Sequence, residues 1–240
     1  MWTPSALASE ARPYRAMVWR VVEGQHRIST NRLAENREDQ ALLENLVEEV
    51  KPLMPAACAG LHFLLATPFR YGHTVASRFR RARTREGIFY AAEQIKTALA
   101  EIAYHRLAFL ARSPGVLAPR TVIEHTAFSV TVATPDALDL TRPPHDTDPR
   151  LWAEPNHYEG CQLLGEAARA GGLKLLRYAS RRDPGGINVA ALTPDALRDR
   201  QPAISGTWHI RMTADSLTAL AAFPSSESYH FTAAQFGLGG

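Results

Sequence analysis

Lysine is nearly missing from this 240-residue chain: Lys51, Lys96 and Lys174 stand against 24 arginines. A nucleic-acid face built from lysines and interleaved stacking aromatics has little to draw on. The formal net charge of +3 permits an anionic partner without requiring one. Cysteine is as scarce. Cys58 and Cys161 lie far apart, fit no zinc spacing and make no disulfide framework, so a reducing, cytoplasmic compartment is expected. No apolar run approaches the roughly 20 residues that a bilayer crossing needs. The longest, "AACAGLHFLLATPF", has the length of a buried core helix. The opening "MWTPSALASEARPYR" lacks the continuous apolar stretch that follows a basic start in a secretion signal, so none is expected. P-loop, GxGxxG, HExxH and GxSxG motifs are absent, which removes the common nucleotide-binding, zinc-peptidase and serine-hydrolase readings. The nine histidines are scattered and none pair at i, i+4, so no metal is expected.

What is present is enough apolar material for a core: 45% of residues are hydrophobic. Residues 1–16 read as a loose leader and "MVWRVV" (17–22) as a strand. In "STNRLAENREDQALLENLVEEVK", the spacing of Leu42, Leu43, Leu46, Val47 and Val50 predicts an amphipathic helix. Ser29, Thr30 or Asn31 is the candidate cap, and Pro52 the stop. "GLHFLLATPF" reads as a short apolar segment stopped by Pro68, "GIFYAA" (87–92) as a strand, and "AEQIKTALAEIAYHRLAFLAR" as a long helix with Ile95, Leu99, Ile102 and Ala103 inward. "TVIEHTAFSVTVAT" (121–134) alternates and is β-branched, the clearest strand in the chain. A loop at 141–149 precedes the helix "HYEGCQLLGEAARAGG", which glycines close. The strands "LKLLRYAS" and "INVAAL" flank a turn, and the tail suggests one or two edge strands. Strands and helices mix without a regular βαβ rhythm. The expected fold is therefore α+β, a central mixed or antiparallel sheet with flanking helices. The expected organisation is an N-terminal strand and helical segment over 1–67 packed on a core over 68–240, as one continuous unit.

Chemistry concentrates in "SRFRRARTREGIFYAAEQIKTALAEIAYHR", Ser77 to Arg106. Five arginines fall between Arg78 and Arg85. A solvated basic loop explains most of such a run. Arginine abundance is equally explained by a GC-rich genome, although arginine also grips phosphates bidentately where lysine does not. Glu101 lies among apolar residues on the predicted helix. A surface position is the ordinary reading, but a partly buried carboxylate needs a partner or a task. Tyr90 is the last large residue of a predicted strand, where most tyrosines are core residues with the hydroxyl at the rim. Ser180 ends "LKLLRYAS", where serine is ordinarily a turn-former.

Taken in order, these pieces resemble the RES-domain family, named for a recurring arginine, glutamate and serine. "VWRVVEGQHRISTNRL", with Arg20, resembles its opening strand. "LLATPFRYGHTVASRFR" resembles the segment bearing the signature arginine, and "GIFYAAEQIKTALAEIAYHR" the strand–helix unit with Tyr90 and Glu101 eleven residues apart. "CQLLGEAARAGGLKLLRYASRRDPGGINVAAL" resembles the closing helix–strand–turn–strand, with Ser180. The resemblance covers roughly residues 17 to 195. Arg78 fits the arginine's local context in "SRF". Arg80 competes for the assignment, and Ser77 stands where the family commonly has glycine.

The resemblance implies NAD+ breakdown on an ADP-ribosyltransferase-like core with a helical N-terminal addition. It implies a bacterial toxin acting in the cytoplasm and silenced by a helix-turn-helix, Xre-like antitoxin. NAD+ is then substrate, no metal is required, and direct nucleic-acid binding is not expected without the antitoxin. Glu101 would stabilise the positive charge that builds on the ribose and Tyr90 would stack on the nicotinamide. Arg78 would hold a phosphate, with Arg80 and Arg20 as further ligand-binding arginines. Ser180 would bond the ligand or orient the glutamate. The acceptor is open between water, phosphate and a protein side chain. Outside enzymes, a non-catalytic basic module that binds nucleic acid or a partner protein is the rival.

Overall fold

The computed structural model describes residues 3–24, 36–71, 74–113, 115–147 and 157–238. Among them are five α-helices and eight strands. In chain order these are α1 (Pro4–Ser9), β1 (Arg12–Glu23), α2 (Arg37–Val50), α3 (Phe63–Arg70), β2 (Phe89–Ala92), α4 (Ile95–Arg112), β3 (Ile123–Asp139), α5 (Glu159–Ala170), β4 (Leu175–Ala179), β5 (Ile187–Ala191), β6 (Ala203–Met212), β7 (Ser216–Ala221) and β8 (Ser228–Thr232). The expected α+β class with a mixed sheet and flanking helices is what is found.

The strand order is β1-β2-β5-β4-β3-β6-β7-β8, and β1 also pairs with β3. That extra pairing closes β1, β2, β5, β4 and β3 into a ring, with β6, β7 and β8 extending from β3. The long strand β3 makes both possible. One edge carries β1 in antiparallel register from Glu23↔His125 to Arg12↔Ala137. The other edge carries β6 over its first half and β4, the one parallel neighbour among the described pairings, over Ala137–Asp139. β-Branched and aromatic residues suit this half-buried pleat.

Three apolar clusters surround the sheet. One joins Val18, Cys58, Leu65 and Ala66 to Phe128, Val130 and Val189, so residues on both sides of position 67 share a core. A second joins Leu7 of α1 and Leu164 of α5 to Phe79 and Leu176. A third joins Leu99, Ala103 and Leu107 of α4 to Trp208, Leu217 and Phe231. Among the described residues no helix is long and apolar enough to cross a membrane.

Several local expectations need correction. Residues 3–16 are not loose but part of the fold. Thr3 caps α1 by accepting the Ala6 amide, Leu7 is fully buried, and β1 begins at Arg12. Pro68 does not stop its helix but lies buried inside α3, which runs to Arg70. Proline there forfeits one backbone hydrogen bond, and burial of Leu65 and Phe69 offsets that loss. Helix α2 forms and ends at Val50, before Pro52, but Leu42, Leu46 and Val50 of its apolar stripe are exposed. Its start is fixed by Asn36, whose Oδ1 accepts from the amides of Glu38 and Asp39, both at 2.9 Å. The cap candidates Ser29, Thr30 and Asn31 lie outside the described residues. The tail "GTWHIRMTADSLTALAAF" supplies two strands as expected, β6 and β7, but neither is an edge, because β8 follows and pairs with β7.

Candidate active site

A cavity of about 320 Å³ opens where the second and third clusters meet. Strand β1 contributes Trp19 and Arg20, β2 Tyr90, α4 Glu101, Tyr104 and His105, and β5 Asn188. Arg78 reaches it from the loop before β2, Tyr158 from the start of α5, and Arg182 from the turn between β4 and β5. That volume is at the lower end of small-molecule sites.

Glu101 sits on α4 between buried turns, with Ala98, Ala100, Ala103 and Tyr104 all inside. Its Oε1 accepts from Ser180 Oγ at 2.9 Å and from Asn188 Nδ2 at 2.7 Å. Both donors are buried, and both use the same carboxylate oxygen. Ser180 Oγ also accepts the amides of Arg182 at 3.1 Å and Asp183 at 3.2 Å. With its one proton given to Glu101 and both lone pairs engaged, the hydroxyl has no valence left for a ligand. The turn that carries it is tied to the start of α4: buried Asp183 accepts from Thr97 Oγ1 at 2.7 Å and pairs with Lys96 Nζ at 2.9 Å. The Ser180–Glu101 distance is therefore set by two elements pinned together rather than by a lone contact.

Three guanidinium groups face the same space. Arg182 stacks on Tyr104 with its central carbon 3.2 Å from the ring centroid. Arg78 lies 5.0 Å over the Tyr158 ring, with Nη1 4.0 Å from Cys161 Sγ. Arg20 lies 5.0 Å over Phe89, and burial pushes its guanidinium down to about 10, which leaves it charged at neutral pH. Three cations against one lining carboxylate give the cavity a net positive lining, a charge pattern that suits anionic groups.

The arginine run divides sharply. Ser77 and Arg80 close a tight hairpin: the Ser77 amide donates to Arg80 O at 2.8 Å, and the Arg80 amide donates to Ser77 O at 3.2 Å. Arg78 and Phe79 occupy its tip. Phe79 is buried edge-on against Tyr178, and its carbonyl presses so close to α5 that a Cβ on Gly165 would lie 2.3 Å from it. Arg80 is buried and turned away from the cavity. Its Nη2 donates to Val75 O at 3.0 Å and its Nε to Ser77 Oγ at 3.4 Å. Arg81, Arg83 and Arg85 are exposed, and Arg81 pairs with Glu166. Of the five arginines, only Arg78 lines the cavity.

Of the residues expected here, Arg20, Arg78, Tyr90 and Glu101 line the cavity, Ser180 stands behind Glu101 as its hydrogen-bond donor, and Arg80 falls outside. Trp19, Tyr104, His105, Tyr158, Arg182 and Asn188 also line it and were not expected. Asn188 had a readable signal, since it is a lone amide inside the apolar strand "INVAA". Among the described residues no group of three or more His, Cys, Asp or Glu side chains is placed to hold a metal ion.

Fold and cavity together define a class: an α+β protein whose partly closed sheet carries an arginine-lined cavity around a pinned carboxylate. The chain belongs to the RES-domain family, whose model matches residues 54–213, about two-thirds of its length. Strand β1 with Arg20, helix α2, and β7 and β8 lie outside the matched range. No curated protein matches the chain. Among solved structures it is similar to a chain in the crystal structure of the M. tuberculosis MbcT–MbcA toxin–antitoxin complex, at 13% identity. The match covers 87% of this chain and 92% of that one, with a TM-score of 0.46.

Proposed function

We propose that this protein cleaves the nicotinamide–ribose bond of NAD+ and acts as the toxin of a bacterial toxin–antitoxin pair. The observation that carries the reading is the Glu101 carboxylate, held by Ser180 and Asn188 through one oxygen at the wall of a cavity with three guanidiniums. NAD+ matches that charge pattern, with two phosphate charges and a cationic pyridinium beside the reacting ribose. Membership of the RES-domain family supports it, because NAD+ breakdown is that family's chemistry.

In the proposed step the C1′–N bond breaks with both electrons going to the nicotinamide nitrogen, which leaves neutral. The ribose becomes oxocarbenium-like. Glu101 faces that charge with an oxygen whose partner is already fixed, so little reorganisation is needed as the charge develops. Arg78 and Arg182 hold the phosphates. Water adds to C1′ and loses a proton, giving ADP-ribose. Inorganic phosphate at the same place gives a phosphorylated sugar instead, and a protein side chain gives ADP-ribosylation. Ser180 orients the glutamate rather than the ligand, given its filled valence.

Purified protein mixed with NAD+ is expected to release free nicotinamide, and the co-product names the acceptor. Expression in a bacterium is expected to deplete NAD+ before growth stops. Arrest with an unchanged NAD+ pool points to modification of a protein target, and no arrest with folded protein present revives the non-catalytic module. The partner is expected to be a helix-turn-helix antitoxin with an acidic contact surface, since it must cover an arginine-lined opening.

Asn188→Ala is expected to lower kcat about tenfold while the protein stays folded, since a hydrogen bond to a charged group is worth roughly 1.5–3 kcal/mol. Steady-state rates beside a thermal melt check this. An unchanged kcat means the second donor to Glu101 is dispensable.

A further inference from the structure

We infer that the Tyr90 hydroxyl is the staple that holds the Arg78 hairpin over the cavity, which makes Tyr90 a positioning residue for Arg78. Tyr90 is fixed on β2, where it lies opposite Ala190 of β5. Its hydroxyl accepts the Phe79 amide at 3.2 Å and shares a hydrogen bond with Ser77 Oγ at 2.9 Å. Those two residues flank Arg78 on either side. The phenol therefore closes the hairpin from below, at the one place where the chain must turn to aim a guanidinium inward.

Other contacts to the hairpin do not substitute for this one. Gln162 Nε2 donates to Ser77 O at 3.2 Å and Arg80 fills the outer side, but within the described contacts only Tyr90 meets the Phe79 amide. Without the hydroxyl, that amide is a buried donor without a partner, which costs free energy and favours opening. Burial raises the Tyr90 pKa, so the phenol keeps its proton through the neutral range. The serine at position 77 takes part as well. Its hydroxyl links Tyr90 to Arg80 Nε, so all three side chains form one chain of hydrogen bonds under Arg78.

The functional half of this inference rests on the NAD+ reading, whereas the staple itself does not. The test is Tyr90→Phe, with Ser77→Ala as a second variant should the first fail to fold. Hydrogen exchange reads the staple without any substrate: the Phe79 amide is expected to exchange about tenfold faster, while the β2 amides paired with β5 keep their protection. Kinetics read the consequence: KM for NAD+ is expected to rise five- to tenfold, with kcat within twofold. In the Arg78→Ala background, adding Tyr90→Phe is expected to change KM less than twofold, because the residue acts through Arg78. Unchanged Phe79 exchange overturns the staple whatever the substrate. Faster exchange with unchanged KM, or an equal penalty in both backgrounds, overturns the link to Arg78 and leaves Tyr90 acting on the ligand directly. A parent protein that releases no nicotinamide overturns the NAD+ reading, and the exchange experiment still decides the staple.

Discussion

Glu101→Gln lowers nicotinamide release at saturating NAD+ by at least about 100-fold, equivalent to about 2.7 kcal/mol of lost transition-state stabilisation. The substitution isolates charge. Glutamine keeps an oxygen that accepts from Ser180 Oγ and Asn188 Nδ2, the contacts that Glu101 Oε1 makes at 2.9 and 2.7 Å. What disappears is the negative charge facing the developing oxocarbenium. The thermal midpoint is therefore expected to stay near that of the parent, while kcat collapses and KM moves little. A Gln variant as fast as the parent removes Glu101 from the chemistry and ends the assignment of this cavity as the active site.

Arg78→Ala raises KM for NAD+ by at least about tenfold, the scale expected when a charge-assisted phosphate contact is lost. Arg83→Ala and Arg85→Ala change it less than twofold, because both side chains project into solvent. Arg80→Ala behaves differently again. Its guanidinium is buried under the hairpin on Val75 O and Ser77 Oγ, so its removal loosens the loop and lowers the thermal midpoint as well as raising KM. Michaelis constants and thermal melts for the four variants separate these behaviours. Small, equal effects at all four positions favour a diffuse basic patch that acts through summed charge. A loss of binding at Arg80→Ala with no loss of stability moves the phosphate contact two residues along.

Much of the framework was readable before any coordinates. The eleven-residue interval from Tyr90 to Glu101 places a strand end and the second turn of a helix beside one another, and that is how β2 and α4 sit. Glu101 stood out as a lone carboxylate in apolar helical surroundings. The β-branched alternation of β3 was equally plain, although the strand runs five residues further than its pattern, to Asp139. Arg78 was favoured over Arg80 by its local context alone, because neighbouring arginines in a loop carry no periodicity. Asn188 was not expected at the site, since its partner Glu101 is 87 residues away in the chain.

Sequence alone determined the class of fold, the order and kind of most elements, the family, and four of the side chains that meet at the cavity, with Ser180 behind one of them. Those follow from periodicity, caps and turn chemistry, which act over a few residues, and from short motifs kept in order. Tertiary structure alone decided which arginine faces the cavity, that Ser180 spends its hydroxyl on Glu101, and that Leu42, Leu46 and Val50 of α2 stay exposed. It also decided that residues 3–16 belong to the fold. The site among these rests on hydrogen bonds between atoms some 70 to 90 residues apart, which join Ser180 and Asn188 to Glu101 and Arg20 to Tyr90. No local propensity encodes such a meeting. It is settled by which buried polar groups find partners once the sheet has closed.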